Sequence, residues 1–156
     1  MINRLKKAIA VSVLLSLLLF LFSCGGRTKG RACDVLTDFC KSYGIEAELI
    51  CSCAQGSCTE PDEQLLSTVF CAPFPVGVDY ALVLHSKLTS LVEVGVFSAA
   101  GGSDRFGLIP ILEERLAYLR EVGGEGEGFL FCKGGFVFYG FLSDPQRAVG
   151  ILRALV

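Results

Sequence analysis

Cysteines are the residues in this chain with the most chemistry to offer. Eight occur in 156 residues, and seven of them, Cys33, Cys40, Cys51, Cys53, Cys58, Cys71 and Cys132, follow Cys24. Outside the cytoplasm such a set supports disulfides, and an odd number leaves at least one thiol over in a monomer. Cys132, in a strand-like segment, is the candidate for that thiol. Cys33 and Cys40 share one predicted helix, about 10.5 Å apart along its axis. A disulfide tolerates only ~7 Å between Cα atoms, so they cannot bridge each other, yet both can reach the loop from Cys51 to Cys58. In that loop Cys51-Ser-Cys53 followed by Cys58 could gather three thiolates round a soft metal. The spacing is not the paired C-x-x-C of zinc ribbons. For Cys33, Cys40, Cys51, Cys53, Cys58 and Cys71 three readings stay open: structural disulfides, free thiols in a reducing setting, and metal or redox chemistry.

The remaining candidates are weaker. His85 is the single histidine, at the point where a strand runs into a polar turn, and no Gly-x-Ser-x-Gly elbow accompanies it. Glu113 and Glu114 precede Arg115 on a helix whose other face is apolar, which is the pattern of a solvated face. The run Gly123 to Gly128 lacks the Lys-Ser/Thr of a phosphate loop and reads as an acidic connection, although its glutamates could attract a cation. No catalytic constellation emerges, and no cofactor is called for.

The address is clearer. Met1 to Lys7 carries three basic residues, Ala8 to Phe22 is apolar, and Leu21-Phe-Ser-Cys24 follows, ahead of Gly25-Gly26. A basic start, an apolar segment of about 15 residues and a small residue at the cut make a secretory signal. As a helix that segment is ~22 Å long, short of the ~30 Å hydrocarbon layer. Leu-x-Ser-Cys resembles the lipobox of bacterial lipoproteins, whose Cys is acylated and becomes the new N-terminus. Two acyl chains then hold a protein stably at a membrane where one is marginal. Residues 1–23 are therefore read as signal peptide, 24–32 as lipidated Cys24 plus flexible tether, and 33–156 as one domain. The expected location is the extracytoplasmic side of the cell membrane, with palmitate or a similar acyl group on Cys24.

Removal of the signal leaves about 130 residues, enough for a two-layer core without obligatory staples. It also leaves eleven basic against sixteen acidic residues, a formal charge of −5. An acidic domain without a basic stripe is a poor partner for phosphate backbones, so nucleic acid is excluded as a partner.

These chemical groups hang on an α+β framework. Residues 33–77 read as helical and Cys-rich: a helix over 34–43 ending at Gly44, then one starting near Thr59-Glu-Pro-Asp62 and ending before Pro73. From Val78 the order is ββαββα. Strands are predicted over 78–84 and 91–97, with a polar connection around 86–90. A helix follows from near Gly107 to Val122, so that Pro110 falls in its first turn. Strands over 128–132 and 135–142 turn around Lys133-Gly134, and a last helix is capped by Asp144 with Pro145 in first position. The expected sheet is four-stranded and mainly antiparallel, with the two later helices on one face. The last hairpin is apolar on both sides, where a half-exposed sheet would alternate. Either the two N-terminal helices cover its second face, or that face meets a protein or envelope partner.

The segments Val78-Asp-Tyr-Ala-Leu-Val-Leu84, Leu91-Val-Glu-Val-Gly-Val-Phe97, Ile111-Leu-Glu-Glu-Arg-Leu-Ala-Tyr118 and Gly134-Gly-Phe-Val-Phe-Tyr-Gly140 resemble, in order and spacing, the domain of unknown function 4358 family. These are small lipoproteins found mainly in Gram-positive anaerobes. The resemblance runs from roughly Asp62 to Leu155 and its motifs are mostly hydrophobic. Glu93 and Arg115 match recurrent charged positions of that family, with no role attached, and Cys33 to Cys58 looks like an addition to the pattern. What the resemblance implies is address and fold, not activity. The expected function is that of a membrane-anchored, non-enzymatic binding or scaffolding module. The rival is a thiol-based metal-binding or redox lipoprotein using the Cys51–Cys58 loop.

Overall fold

The computed structural model describes residues 30–52, 58–59, 63–73, 78–87, 90–98, 102–122 and 125–156. The segment read as an export signal, Cys24 and Cys53 lie outside them, as do the side chains of Cys58 and His85. The elements run α1 (Ala32–Tyr43), β1 (Leu49–Cys51), β2 (Cys58–Thr59), α2 (Glu63–Phe70), β3 (Tyr80–Lys87), β4 (Ser90–Ser98), α3 (Gly102–Val122), β5 (Glu127–Lys133), β6 (Phe136–Leu142) and α4 (Pro145–Leu155). One sheet has the order β2-β1-β3-β4-β6-β5. Its pairings are antiparallel except at the two-residue β2, which runs parallel to β1.

The α+β class and the ββαββα order from β3 onward are present. The four-stranded sheet is a correction: the segment between the two N-terminal helices adds β1 along β3, with β2 outside it. Strands of three and two residues are too short for a period to show in sequence. They form because the outer edge of β3 offers unpaired backbone groups that a passing chain can satisfy.

β6 dictates the layering. All seven of its residues are buried, since it is an inner strand with both faces apolar. Phe136, Phe138 and Leu142 join a core with Ala81, Val83, Val94 and Val96, closed by Leu36 and Phe39 of α1 and Leu152 of α4. Val137, Tyr139 and Phe141 join a second core with Leu82 and Phe97, closed by Leu66 and Phe70 of α2 and Leu108, Leu112 and Leu119 of α3. Each face thus carries one early and one late helix. The expectation that both late helices share a face is overturned, because the side on which a crossover helix lands depends on chain handedness, which side-chain period does not encode.

The helix ends follow the sequence closely. Gly44, at φ +89°, closes α1, and the Gly44 and Ile45 amides both donate to the Cys40 carbonyl at 2.9 Å. Asp144 caps α4, its Oδ1 accepting the Arg147 amide at 3.0 Å. The Asp34 carboxylate accepts the Arg31 amide at 3.2 Å, so α1 begins at Ala32 rather than Asp34. The β5–β6 turn is Gly134-Gly135, both at positive φ, one residue later than expected and as a two-residue hairpin requires. β3 runs on to Lys87, which pairs with Ser90, in place of a polar connection. α3 starts at Gly102, five residues early, with Pro110 inside it. Proline cannot donate to the Phe106 carbonyl, but Phe106 is 80% exposed and water can serve that acceptor.

The layering predicts a contrast on α3. Leu112→Ala, fully buried, should cost about 2–5 kcal/mol in urea unfolding, while the exposed Glu114→Ala should stay within about 0.5 kcal/mol. Equal costs would mean that this helix does not pack by the face described.

Candidate functional site

Two polar constellations are built on opposite faces of the sheet. The first brings α1 to the β1 edge. Cys33 stands in the first turn of α1 and Cys51 ends β1, eighteen residues further on, and their Sγ atoms lie 2.9 Å apart. The flanking residues explain the approach. Asp79, just before β3, accepts the Ala32 amide on Oδ2 at 2.9 Å and the Ser52 hydroxyl on Oδ1 at 2.7 Å. Ser52 Oγ in turn accepts the Tyr80 amide at 3.1 Å, and the Ser52 amide donates to the Tyr80 carbonyl at 3.0 Å. One carboxylate therefore ties down the neighbour of each cysteine. Its bond to Ala32 also satisfies a helix-start amide that has no partner within the helix.

The other cysteines are dispersed. Cys40 is buried on α1, and burial pushes its thiol up to about 11 because a thiolate there would be desolvated. It borders an open groove of about 430 Å³ lined by Thr37, Lys41, Ile45, Glu46 and Leu49 among others. Cys71 is exposed after α2, its thiol donating to the Thr68 carbonyl at 3.6 Å. Cys132 is exposed on the edge strand β5. The three-thiolate loop cannot be placed, since Cys53 and the Cys58 side chain lie outside the described residues. Among those that are described, no group of three His, Cys, Asp or Glu side chains has metal-ligand geometry. His85 stands in β3 opposite Val92, not in a turn. Glu113 and Glu114 are exposed on α3, as expected of a solvated face.

The second constellation is a buried charge. Glu93 on β4 is 1% exposed, the one buried charged side chain among the described residues. Arg115 of α3 meets it through two bonds, Nε to Oε1 at 2.8 Å and Nη2 to Oε2 at 2.7 Å, and the Tyr139 hydroxyl donates to Oε1 at 2.8 Å. Hydrogen bonding to Glu93 raises the Arg115 pKa further, so the guanidinium stays charged. Burial, and then the Glu93 charge, hold the Tyr139 phenol well above its usual value. Tyr139 opposes Gly95 in the β4–β6 register, and a Cβ at Gly95 would lie 2.2 Å from its ring. The glycine is what lets the phenol reach along β4 to Glu93. With both carboxylate oxygens engaged by its own fold, this group braces α3 on the sheet rather than offering a general acid or base. Glu93 and Arg115 had been singled out only by resemblance, and Tyr139 was missed. The signal lay in one charge inside the apolar run 91–97, which cannot be buried without a partner.

The chain matches no protein-family model, and it has no match among curated proteins or solved structures.

Two outcomes are expected. Arg115→Ala should cost about 3–5 kcal/mol by stranding the Glu93 charge, whereas the double variant Glu93→Leu/Arg115→Met should cost less than that single change; a double variant worse than Arg115→Ala would contradict the pairing. Cys40 gives a pH dependence. Its folded pKa exceeds the unfolded one, so its contribution is complete below about 9 and is lost as pH climbs toward 11. The wild type should therefore lose up to ~2–3 kcal/mol over that range relative to Cys40→Ala. Parallel pH curves for the two proteins would refute the burial of this thiol.

Proposed function

We propose that this chain is an exported lipoprotein, held on the extracytoplasmic side of the cell membrane by acyl chains on Cys24, whose α+β domain is a binding or scaffolding module. The observation that carries the reading is the Leu21-Phe22-Ser23-Cys24 sequence at the end of a short apolar segment. No described helix is long and apolar enough to cross a membrane; on this reading the lipid on Cys24 is the anchor. Cys24 lies eight residues before α1, and an extended chain of that length reaches at most about 28 Å. The domain would thus sit close to the headgroups. The resemblance to the domain of unknown function 4358 family belongs to the same reading. A protein or envelope partner must bind elsewhere than on the inner strands' apolar faces, which α1 to α4 occupy. The rim at β5, where Leu130 and Phe131 are half-buried, is one part of the apolar sheet still within reach.

A second reading, a thiol-based metal or redox lipoprotein, is favoured by the Cys33–Cys51 contact. Replacing Cys51, Cys53 and Cys58 by Ser separates the two: a binding module loses at most stability, a thiol protein loses its activity.

The address is tested by Cys24→Ser. The wild type should carry the mass of a diacylated Cys24 and sediment with membranes, and the variant should lose both properties. A variant that remains membrane-bound, or a wild type without acyl mass, would overturn the lipoprotein reading.

A further inference from the structure

We infer that Cys33 and Cys51 form a disulfide in the exported protein, a covalent staple from the first turn of α1 to the edge of the sheet, with Asp79 as its positioning residue. This rests on the extracytoplasmic reading, since a staple persists only where oxidants exist.

Among the cysteines whose side chains are described, the geometry singles out this pair. At 2.9 Å the sulfurs are within about 1 Å of a covalent S–S bond. Cys40 lies two turns along α1 and is too far from Cys33 to compete. Cys71 follows α2, which packs on the opposite face of the sheet. Cys132 is on β5, at the far edge from β1. Asp79 holds both ends without any S–S bond, through the amide next to Cys33 and the hydroxyl next to Cys51, so the reduced chain already presents the two thiols to each other.

The oxidant is an external disulfide, of a thiol–disulfide oxidoreductase or a small molecule. Cys33 is half-buried and Cys51 buried, so Cys33 is the thiol the oxidant can reach. Its sulfur attacks as thiolate, forming a mixed disulfide and expelling one thiol of the oxidant. Cys51, losing its proton, then attacks the Cys33 sulfur and expels the second thiol. Two protein thiols become one disulfide and the external disulfide becomes two thiols, so atoms and electrons balance.

The staple fits its position. A pull from the lipid enters the domain through α1, and the bond would pass it directly to the sheet instead of peeling the helix away. Closing a loop of this size should raise the thermal midpoint by roughly 10 °C.

The test begins with the membrane-extracted full chain, alkylated in acid, digested without reductant and mapped by mass spectrometry. A linked peptide pair containing Cys33 and Cys51 is expected. Both residues alkylated, or either joined to Cys53, Cys58 or another cysteine, would overturn the pairing. The detergent-solubilised chain is then equilibrated in glutathione buffers. Oxidation there combined with reduced thiols in cells keeps the geometry but overturns the disulfide in the exported protein, while the acyl mass on Cys24 in the same digest reports the address separately; failure to oxidise in buffer overturns the geometry itself. Asp79→Asn should require about tenfold more oxidised glutathione for half-closure, and Cys132→Ser should not shift it. An unchanged Asp79→Asn titration would remove Asp79 from the positioning role. Reductant should lower the thermal midpoint of the wild type but not that of Cys33→Ser or Cys51→Ser.

Discussion

A strand that is apolar on both sides cannot lie on a protein surface, and β6 is such a strand. Each of its faces needs a helical layer, and the chain supplies two on each side. Covering β6 with only α3 and α4, the helices of the ββαββα segment, would leave half of each core open to water. The helices α1 and α2, from the segment before the repeat, complete the layers. The N-terminal Cys-rich segment is thus part of the core and not an appendage to it.

The placement of α1 governs the thiol chemistry. Because Leu36 and Phe39 are buried on one sheet face, the first turn of α1 is carried to the β1 edge. There the carboxylate of Asp79 finds both the Ala32 amide and the Ser52 hydroxyl. The close approach of Cys33 to Cys51 follows from that docking and from no local sequence motif. On the other face the demand is electrostatic. Glu93 can be buried only with a full set of partners, and Arg115, Tyr139 and the space left at Gly95 supply it. This fixes the rotation of α3 about its own axis, and with it which residues of that helix face water.

Local features were legible in the sequence where local chemistry sets them. Gly44 ends α1 and Asp144 and Pro145 start α4, each for a reason confined to a few residues, whereas the β5–β6 turn falls one residue beyond its expected place. The ββαββα order was equally readable, because short β-rich apolar runs give way to longer stretches with apolar residues at helical spacing. Illegible were β1 and β2, too short to show a period, and the distribution of helices between faces, which depends on handedness. Among the candidate groups, spacing alone excluded a Cys33–Cys40 bridge and pointed both towards the loop. Selecting Cys51 as the partner of Cys33 required knowing that Asp79, twenty-seven residues beyond Ser52 in sequence, stands between them. The charge at Glu93 was visible, but its hydroxyl partner forty-six residues away was not.

The central claim, that α1 is an integral layer fastened at the β1 edge, is open to native-state hydrogen exchange on the full chain. Amides of α1 should exchange as slowly as those of β4 and β6, through the same global opening, and reduction of the thiols should lower that protection at α1 more than at β6. Rapid exchange throughout α1 while β4 and β6 remain protected would contradict the account, reducing α1 to a peripheral helix.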